Sequence, residues 1–399
     1  MGKTTAGAPA ARPFSKAAIA VFAALTAVGV GFWIYQLVKG HQVTGMTNES
    51  YWGANIILFM FFVGLSAGGL IVASSAHVFN IERFKKVALP AVVVSTVSIC
   101  LAACFILVDL GSIQRIFQMI MTPNVICPLV WDMTVIALYL VINILDIVWI
   151  RKGDERKVKV LSYVALPVAV LVHSVTAWIF SLQIGHMWYT AIMAPIFVVS
   201  ALDSGMALLI LGLMLLEARG LFVTGKPLFK SLSGLLAVFI AVDAYLIGCE
   251  VLTMGYPGAG EAMTLSVMTT GAMAPFFWFE IVFGLVVPFL ILVVAKNREK
   301  KGLVAAACIL VVLGVLCKRV WLLLTAFIAP YAGGSPIVPS EAMATDALSF
   351  GAAASFYAPT AIEMVIVVGV LSLGVLAFMV LSNLLMGKST KVQAPETTR

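Results

Sequence analysis

Ten stretches of this sequence, each about twenty or more residues long, carry so few charges that they suit lipid better than water. They run approximately over residues 17–39, 53–79, 87–109, 125–150, 160–181, 189–216, 231–252, 274–295, 303–328 and 358–386. A helix needs about 20 apolar residues to cross the hydrocarbon core of a bilayer, and every stretch has that length. Membrane strands are excluded, because barrel strands alternate in character and are only about 10 residues long. Composition agrees, with 62% of the 399 residues hydrophobic and 11% charged, where a soluble domain carries about 25% charged residues. The expected fold class is therefore an all-α integral membrane protein with ten transmembrane helices. The first stretch is long and lacks a small-residue cleavage site, so no cleaved signal peptide is expected.

The loops between the stretches alternate in charge. Lys3, Arg12 and Lys16 lie on one side, with Arg83, Lys85, Lys86 and the run from Arg151 to Lys159. The same side takes Arg219, Lys226, Lys230, the run from Lys296 to Lys301, and finally Lys388, Lys391 and Arg399. Lys39 and Arg115 fall on the other side, and Lys318 and Arg319 lie within the ninth stretch. The positive-inside rule places both termini in the cytoplasm, which suits a multi-pass protein of a bacterial inner membrane. The net charge of +7 does not point to nucleic acid, because the basic residues sit at helix ends. The longest outer loops, 253–273 and 329–357, have no Lys or Arg and leave room for short helices and a docked partner. The tail "KSTKVQAPETTR" reads as disordered. No soluble domain is expected.

Two parts of the chain share spacing. Trp52, Phe61 and Gly69 repeat the W-x8-F-x7-G spacing of Trp188, Phe197 and Gly205. "PLVWD" (128–132) and "PFFWFE" (275–280) each place an acid within two residues of a PxxW. In order and depth these matches suggest two four-helix bundles of like topology, spans 2–5 and 6–9, with spans 1 and 10 peripheral. The corresponding division is 1–50, 51–182, 183–328 and 329–399. The six cysteines, Cys100, Cys104, Cys127, Cys249, Cys308 and Cys317, occur singly. They read as small buried hydrophobes rather than as cluster ligands or disulfides.

Orientation assigns a depth to each intramembrane polar group. Asn55, Asp109, Asp132, His173, Asp243, Glu250, Glu280, Lys318, Arg319 and Glu363 fall in the outer half, His77 and Asp146 in the inner half, and Asp203 near mid-depth. The lopsided distribution implies a polar site reached from the outer half. Asp109, Asp146 and Glu363 are near span ends and are expected to reach the interface. Lys318 and Arg319 have two readings, as structural partners of Glu280 or Asp243 or as part of a proton path, since buried charges are normally paired. Trp131 and Trp278 fit an interfacial belt or a ligand contact equally well. Asp132, His173 and Asp203 have apolar flanks, and intramembrane acids mark ion or proton pathways more often than packing. A b-type haem needs two imidazoles at similar depth on facing helices. His77 and His173 differ in depth, and His41 and His186 fall in outer loops. No haem, no metal and no redox centre in this chain is the expectation.

The segments "YWGANIILFMFFVGLSAGG" (51–69), "PLVWD" (128–132), "HSVTAWIFSLQIGHMWYTAIMAPIFVVSALDSGMALL" (173–209) and "PFFWFEIVFGLVVP" (275–288) resemble the NrfD/PsrC family, the polysulfide reductase-type membrane subunits. Ten spans resemble its longer branch, that of the Qrc, Hmc, Dsr and alternative complex III membrane subunits. The resemblance implies a haem-free subunit that binds a quinone, with menaquinone favoured, near the periplasmic side of the first bundle. It implies a periplasmic iron–sulfur, ferredoxin-like partner, and further molybdopterin-type or multihaem cytochrome c subunits. Carried onto this chain, it makes Asn55, Trp131, Asp132 and His173 quinone contacts, with Asp132 and His173 managing protons. It makes His77, Asp203, Asp243, Glu250, Glu280, Lys318 and Arg319 a proton path. Two rival readings stand beside it, a proton-coupled secondary transporter and a structural anchor for a periplasmic complex. The transporter predicts helices broken at corresponding places in the two halves. Pro195 and Pro288 lie within spans, but the corresponding Phe59 and Val141 are not proline.

Overall fold

The computed structural model of the protein describes residues 12–47, 50–183, 188–257, 261–328 and 357–386. Among these residues ten helices are long and apolar enough to cross a membrane. In chain order they are α1 (Lys16–Lys39), α2 (Ala54–Val78), α3 (Ala88–Asp109), α4 (Pro128–Lys152) and α5 (Glu155–Ser181). They continue with α6 (Met193–Ala218), α7 (Lys226–Gly255), α8 (Ala274–Val293), α9 (Lys301–Ile328) and α10 (Ala361–Leu385). The protein is an all-α membrane protein, as the apolar stretches require. His186, the residues of the 329–357 loop other than Tyr357, and the tail beyond Met386 lie outside the described residues.

The differences from the expected spans have local causes. α5 begins several residues early because the Asp154 side chain accepts the Lys157 N–H and caps a charged first turn. The turn before it is tight. Gly153 has φ +70°, a left-handed conformation that closes α4 and that only glycine adopts without strain. α7 is longer at both ends than its apolar core and opens with proline in its first turn. The 253–273 loop does hold a short helix, Ala262–Thr269. A second short helix, Gln114–Met121, lies between α3 and α4, where hydropathy marks no element. α8 is not uniform. Its α-helical turn Ala274–Trp278 widens into a π-helical segment, Phe279–Val286, before Val287–Val293 resumes the α form. Pro288 lacks an N–H and its ring crowds the carbonyl four residues earlier, which accounts for the altered bonding just before it.

α2 packs against α3 and α5, and α4 packs against both α3 and α5, so these four close on one another. α6, α7, α8 and α9 close in the same way, with α6 against α7 and α9, and α8 against both. The two quartets meet chiefly where α2 lies against α6 and α9, with α5 and α3 also touching α6. Along its most apolar stretch α2 is 89% buried and α1 only 6%, which makes α2 the centre of the molecule and α1 its edge. α1 pairs with α10, and α10 rests on α3.

Without a hydrophobic drive between helices in lipid, close backbone approach supplies the packing. At the centre Gly68 of α2 faces Gly205 of α6, so that a Cβ on Gly205 would stand 2.6 Å from the Gly68 Cα. No larger residue fits there. Above this crossing the two tryptophans of the repeated spacing meet. Trp52 and Trp188 have ring centroids 6.0 Å apart, with Phe180 between them at 5.4 and 5.3 Å. The Trp188 indole also donates to Leu322 O of α9 at 2.8 Å. Thus Trp52, Trp188 and Gly205 of the repeated spacing lie at the seam between the quartets, where edge-to-face aromatic pairs add to the buried area, while Gly69 packs against α3.

Candidate functional site

Two buried polar groups occupy the quartets, one in each. In the first, Asp132 stands one turn into α4 and is 2% exposed. Thr176 of α5 donates to Asp132 Oδ1 at 2.6 Å and lies 2.9 Å from Val172 O. One hydroxyl proton therefore has two acceptors. If the carboxyl is protonated it can donate to Thr176, whose proton then turns to Val172 O; if ionised, it accepts from Thr176. His173 lies one turn before Thr176 on the same helix, buried, with Nδ1 3.1 Å from Ala169 O. A carbonyl only accepts, so this bond needs the proton on Nδ1. Nε2 has no hydrogen-bond partner, and the imidazole faces the carbonyls of Val63 and Gly64 on α2. Asn55 lies at the start of α2, about two turns before Val63, buried, with its Oδ1 unpartnered.

The second group is ionic. Lys318 of α9 bonds both oxygens of Asp243 on α7, at 2.8 and 3.0 Å, and approaches Glu280 Oε1 of α8 at 3.4 Å. Glu280 opens the π-helical segment and accepts from the Trp321 indole at 2.5 Å. Asp203 of α6 lies against Asp243 and Lys318, and neither of its oxygens has a hydrogen bond of good geometry. Arg319 does not join the acids directly. Its Nη2 donates to Ser200 Oγ at 2.7 Å and its guanidinium lies over the Phe197 ring at 4.0 Å, while Nε and Nη1 are unpartnered. Gly64 of α2 lies beside it: a Cβ there would stand 3.8 Å from Arg319 Nη2, an ordinary contact distance. Arg319 is also a charged neighbour of His173, so it stands between the two groups. Lys318, Trp321 and Glu250 line one small cavity, with room for about one water, together with Met193, Ile247 and Met268. Three acids and two bases are thus enclosed, and one added proton makes the set neutral, which favours holding a proton in so dry a place.

Other residues singled out in the sequence fall elsewhere. His77 is buried near the basic end of α2, bonded through Nδ1 to Ala73 O. Trp131 is half-buried and its indole N–H is taken by Val125 O at 2.6 Å. Asp146 and Glu363 do not reach an interface as expected, being 2% and 1% exposed. Glu363 is held by Gly45 N–H, Thr360 N–H and the Tyr357 hydroxyl, each at 2.8 Å. Of the cysteines only Cys308 is buried, and Cys100 lies on the outer surface of the helices. Among the described residues no group of three or more His, Cys, Asp or Glu gathers as for a metal ion. Thr176, Trp321, Ser200 and Phe197 join these groups without being marked as site residues by the sequence. Only Phe197 has a signal there, as part of the repeated spacing.

The chain is 32% identical over 389 residues to a putative membrane subunit of dimethyl sulfoxide reductase from Halobacterium salinarum, covering 90% of this chain and 89% of that one. It is 27% identical over 357 residues to a selenate reductase subunit of Mesobacillus selenatarsenatis, with 79% and 83% covered. Against the Hdr-like menaquinol oxidoreductase integral membrane subunit of Archaeoglobus fulgidus it is 27% identical over 369 residues, with 91% of each chain covered. The model of the family described as polysulphide reductase, NrfD, matches residues 42–330. That span holds α2 to α9, all of both quartets, and leaves α1 and α10 outside it. The chain belongs to the NrfD family.

Proposed function

We propose that the chain is the membrane subunit of a respiratory oxidoreductase complex and binds a quinone in its first quartet, near the outer face. The observation that carries this reading is the pair formed by Asp132 and His173 on facing helices. Thr176, one turn after His173 on α5, bonds Asp132, and the imidazole Nε2 has no hydrogen-bond partner. Reduction of a quinone takes up two electrons and two protons, and oxidation of the quinol returns them. The chemistry asks for donors at the two carbonyls and for groups that exchange protons in place. Asn55, Asp132 and His173 supply these, and Trp131 covers the approach from the outer loop. Menaquinone is favoured, because one relative is a menaquinol oxidoreductase subunit. Electrons are exchanged with a periplasmic iron–sulfur subunit docked on the outer loops, which in turn contacts a molybdopterin-type or cytochrome c subunit. Three relatives bear names of reductase or oxidoreductase subunits, which supports such partners.

In the second quartet Asp203, Asp243, Glu280, Lys318 and Arg319 hold an exchangeable proton, with Glu250 lining one cavity with Lys318 and His77 nearer the basic face. This group conducts protons during turnover. The test of the quinone site is titration of a fluorescent quinol analogue with the purified full-length chain. Stoichiometric quenching is expected for the wild type, and its loss in Asp132→Asn/His173→Ala. Equal quenching by the folded double variant removes the site from the first quartet.

A further inference from the structure

Gly234, Ala237 and Ala241 of α7 recur at spacings of three and four, which puts three small residues on one face of the helix. Phe289 and Val293 of α8 stand beside them, and the same face of α7 continues to Tyr245. Small residues between larger ones leave a groove of about 350 Å³ between the two helices. Val238 and Tyr245 on its wall are 56% and 70% exposed, so it opens sideways, where the span meets lipid. From Gly234 to Tyr245 it runs about 16 Å at 1.5 Å per residue, about the depth of one leaflet of a bilayer core. Volume over length gives a cross-section of about 22 Å², the width of one hydrocarbon chain and far less than a helix about 10 Å across.

At the basic face the groove ends on Arg298. α8 stops at Val293, and its last carbonyls need donors. Arg298 supplies them, with Nε donating to Leu292 O and Nη2 to Val293 O at 3.1 Å. These bonds fix the guanidinium plane. Its third nitrogen, Nη1, lies over Gly234, where an added Cβ would stand 2.8 Å away. Among the described residues no protein acceptor takes the Nη1 N–H groups. The surroundings are basic as well. Lys226 and Lys230 begin α7, and Lys296, Lys300 and Lys301 flank Arg298. Glu299 is held by Lys230 at 2.7 Å and Glu217 by Lys301 at 2.9 Å, so cations outnumber acids there. A guanidinium with free N–H groups matches the oxygens of a phosphate in geometry and in charge.

We propose that the groove between α7 and α8 is a binding site for an anionic phospholipid, with one acyl chain along Gly234, Ala237 and Ala241 and the phosphate on Arg298 Nη1. The chain supplies contact area and the head supplies selectivity. A zwitterionic lipid with the same chains fills the groove equally, but its ammonium meets the excess of lysines around Arg298. The occupied site ties the end of α8 to α7 through the lipid, on the far side of α7 from the buried Asp243. It stands apart from the group at Asp132 and His173 and does not depend on it.

The test is native mass spectrometry of the full-length chain, released from detergent after titration with phosphatidylglycerol or with phosphatidylethanolamine of identical acyl chains. The two lipids share a phosphate and differ in net charge. The wild type is expected to retain phosphatidylglycerol about tenfold more tightly, the worth of one hydrogen bond to a charged group. Arg298→Gln, which can still donate to a carbonyl of α8, is expected to hold both lipids alike. Ala241→Phe sets a ring in the groove at a position already exposed, and is expected to lose the retained lipid of either kind. It decides the matter alone should Arg298→Gln fail to fold. A wild type that does not prefer phosphatidylglycerol overturns the proposal. So does a preference that survives Arg298→Gln, or a bound lipid indifferent to Ala241→Phe. A photo-crosslinker at Val242 that captures a polypeptide in the membrane, with no lipid adduct, gives the groove to a partner helix and overturns it too.

Discussion

A lysine ammonium enters the middle of a helix quartet only if acids meet it there, and Lys318 meets two. The pairing is mutual, so the cost of breaking it is carried by whichever charge is left behind. Removing one partner of a buried ion pair costs about 3–5 kcal/mol, because the remaining charge stays desolvated. Lys318→Met is expected to destabilise the chain by about that amount, seen as a lower thermal midpoint in detergent. Adding Asp243→Asn removes one of the stranded acids and restores part of the loss. Equal midpoints for the single and double variants would mean that Asp243 is not the partner that matters. Arg319 differs from its neighbour in kind. A guanidinium is more weakly hydrated than an ammonium and stacks on aromatic faces, so the Phe197 ring and one serine hydroxyl suffice to hold it. The adjacent residues thus divide the work: one ties three helices of the second quartet together, the other faces the seam.

α10 lies outside the stretch matched by the family, yet its first turn is fastened to the start of α2. Thr360 caps the helix while Glu363 reaches back to the Thr360 N–H, so two otherwise orphaned backbone donors are satisfied. The same carboxylate takes the Gly45 N–H and the Tyr357 hydroxyl, and that hydroxyl accepts the Ala54 N–H, the residue before Asn55. Burial and the nearby Glu363 charge push the Tyr357 phenol well above its ordinary range, so it remains a donor at any pH at which the protein is handled. Tyr357→Phe leaves Ala54 N–H and one Glu363 oxygen without partners, at about 1–3 kcal/mol for each buried group stranded. The expected outcome is a lower midpoint that does not vary with pH between 6 and 9, together with weaker quenching of the quinol analogue. A midpoint equal to that of the wild type would show the latch to be dispensable. Tyr357 has no mark in the sequence that ties it to residue 54. A capping box is legible as Thr360 and Glu363, but its grip on a helix some three hundred positions away is tertiary.

Hydropathy makes the ten helices legible because lipid imposes one length on every span, and the structure moves their ends by only a few residues. It does not show which face of a span turns inward. The lipid-facing side of a span is apolar too, so the contrast between apolar inner face and charged outer face that orients a helix in a soluble protein is missing. That is why Asp146, read as an interface residue, lies buried, and why Tyr139 and Asn143 do not stand out. Asp132, Tyr139, Asn143 and Asp146 of α4, at spacings of seven, four and three, are all buried. Pairings across helices, such as Thr176 with Asp132 or Arg319 with Phe197, depend on rotations that no single span encodes. The charge pattern of the loops carries a different kind of information, since it orients the whole molecule. Lys300 lies on the basic face and Asn124 on the opposite one, and both are exposed. In a Cys127→Ser background Asn124→Cys is expected to react with a membrane-impermeant maleimide on intact cells. Lys300→Cys is expected to react only after permeabilisation, since positively charged loops stay on the cytoplasmic side. The reverse labelling would turn the molecule over, put the site at Asp132 and His173 on the cytoplasmic side, and require its electron partner to be cytoplasmic as well.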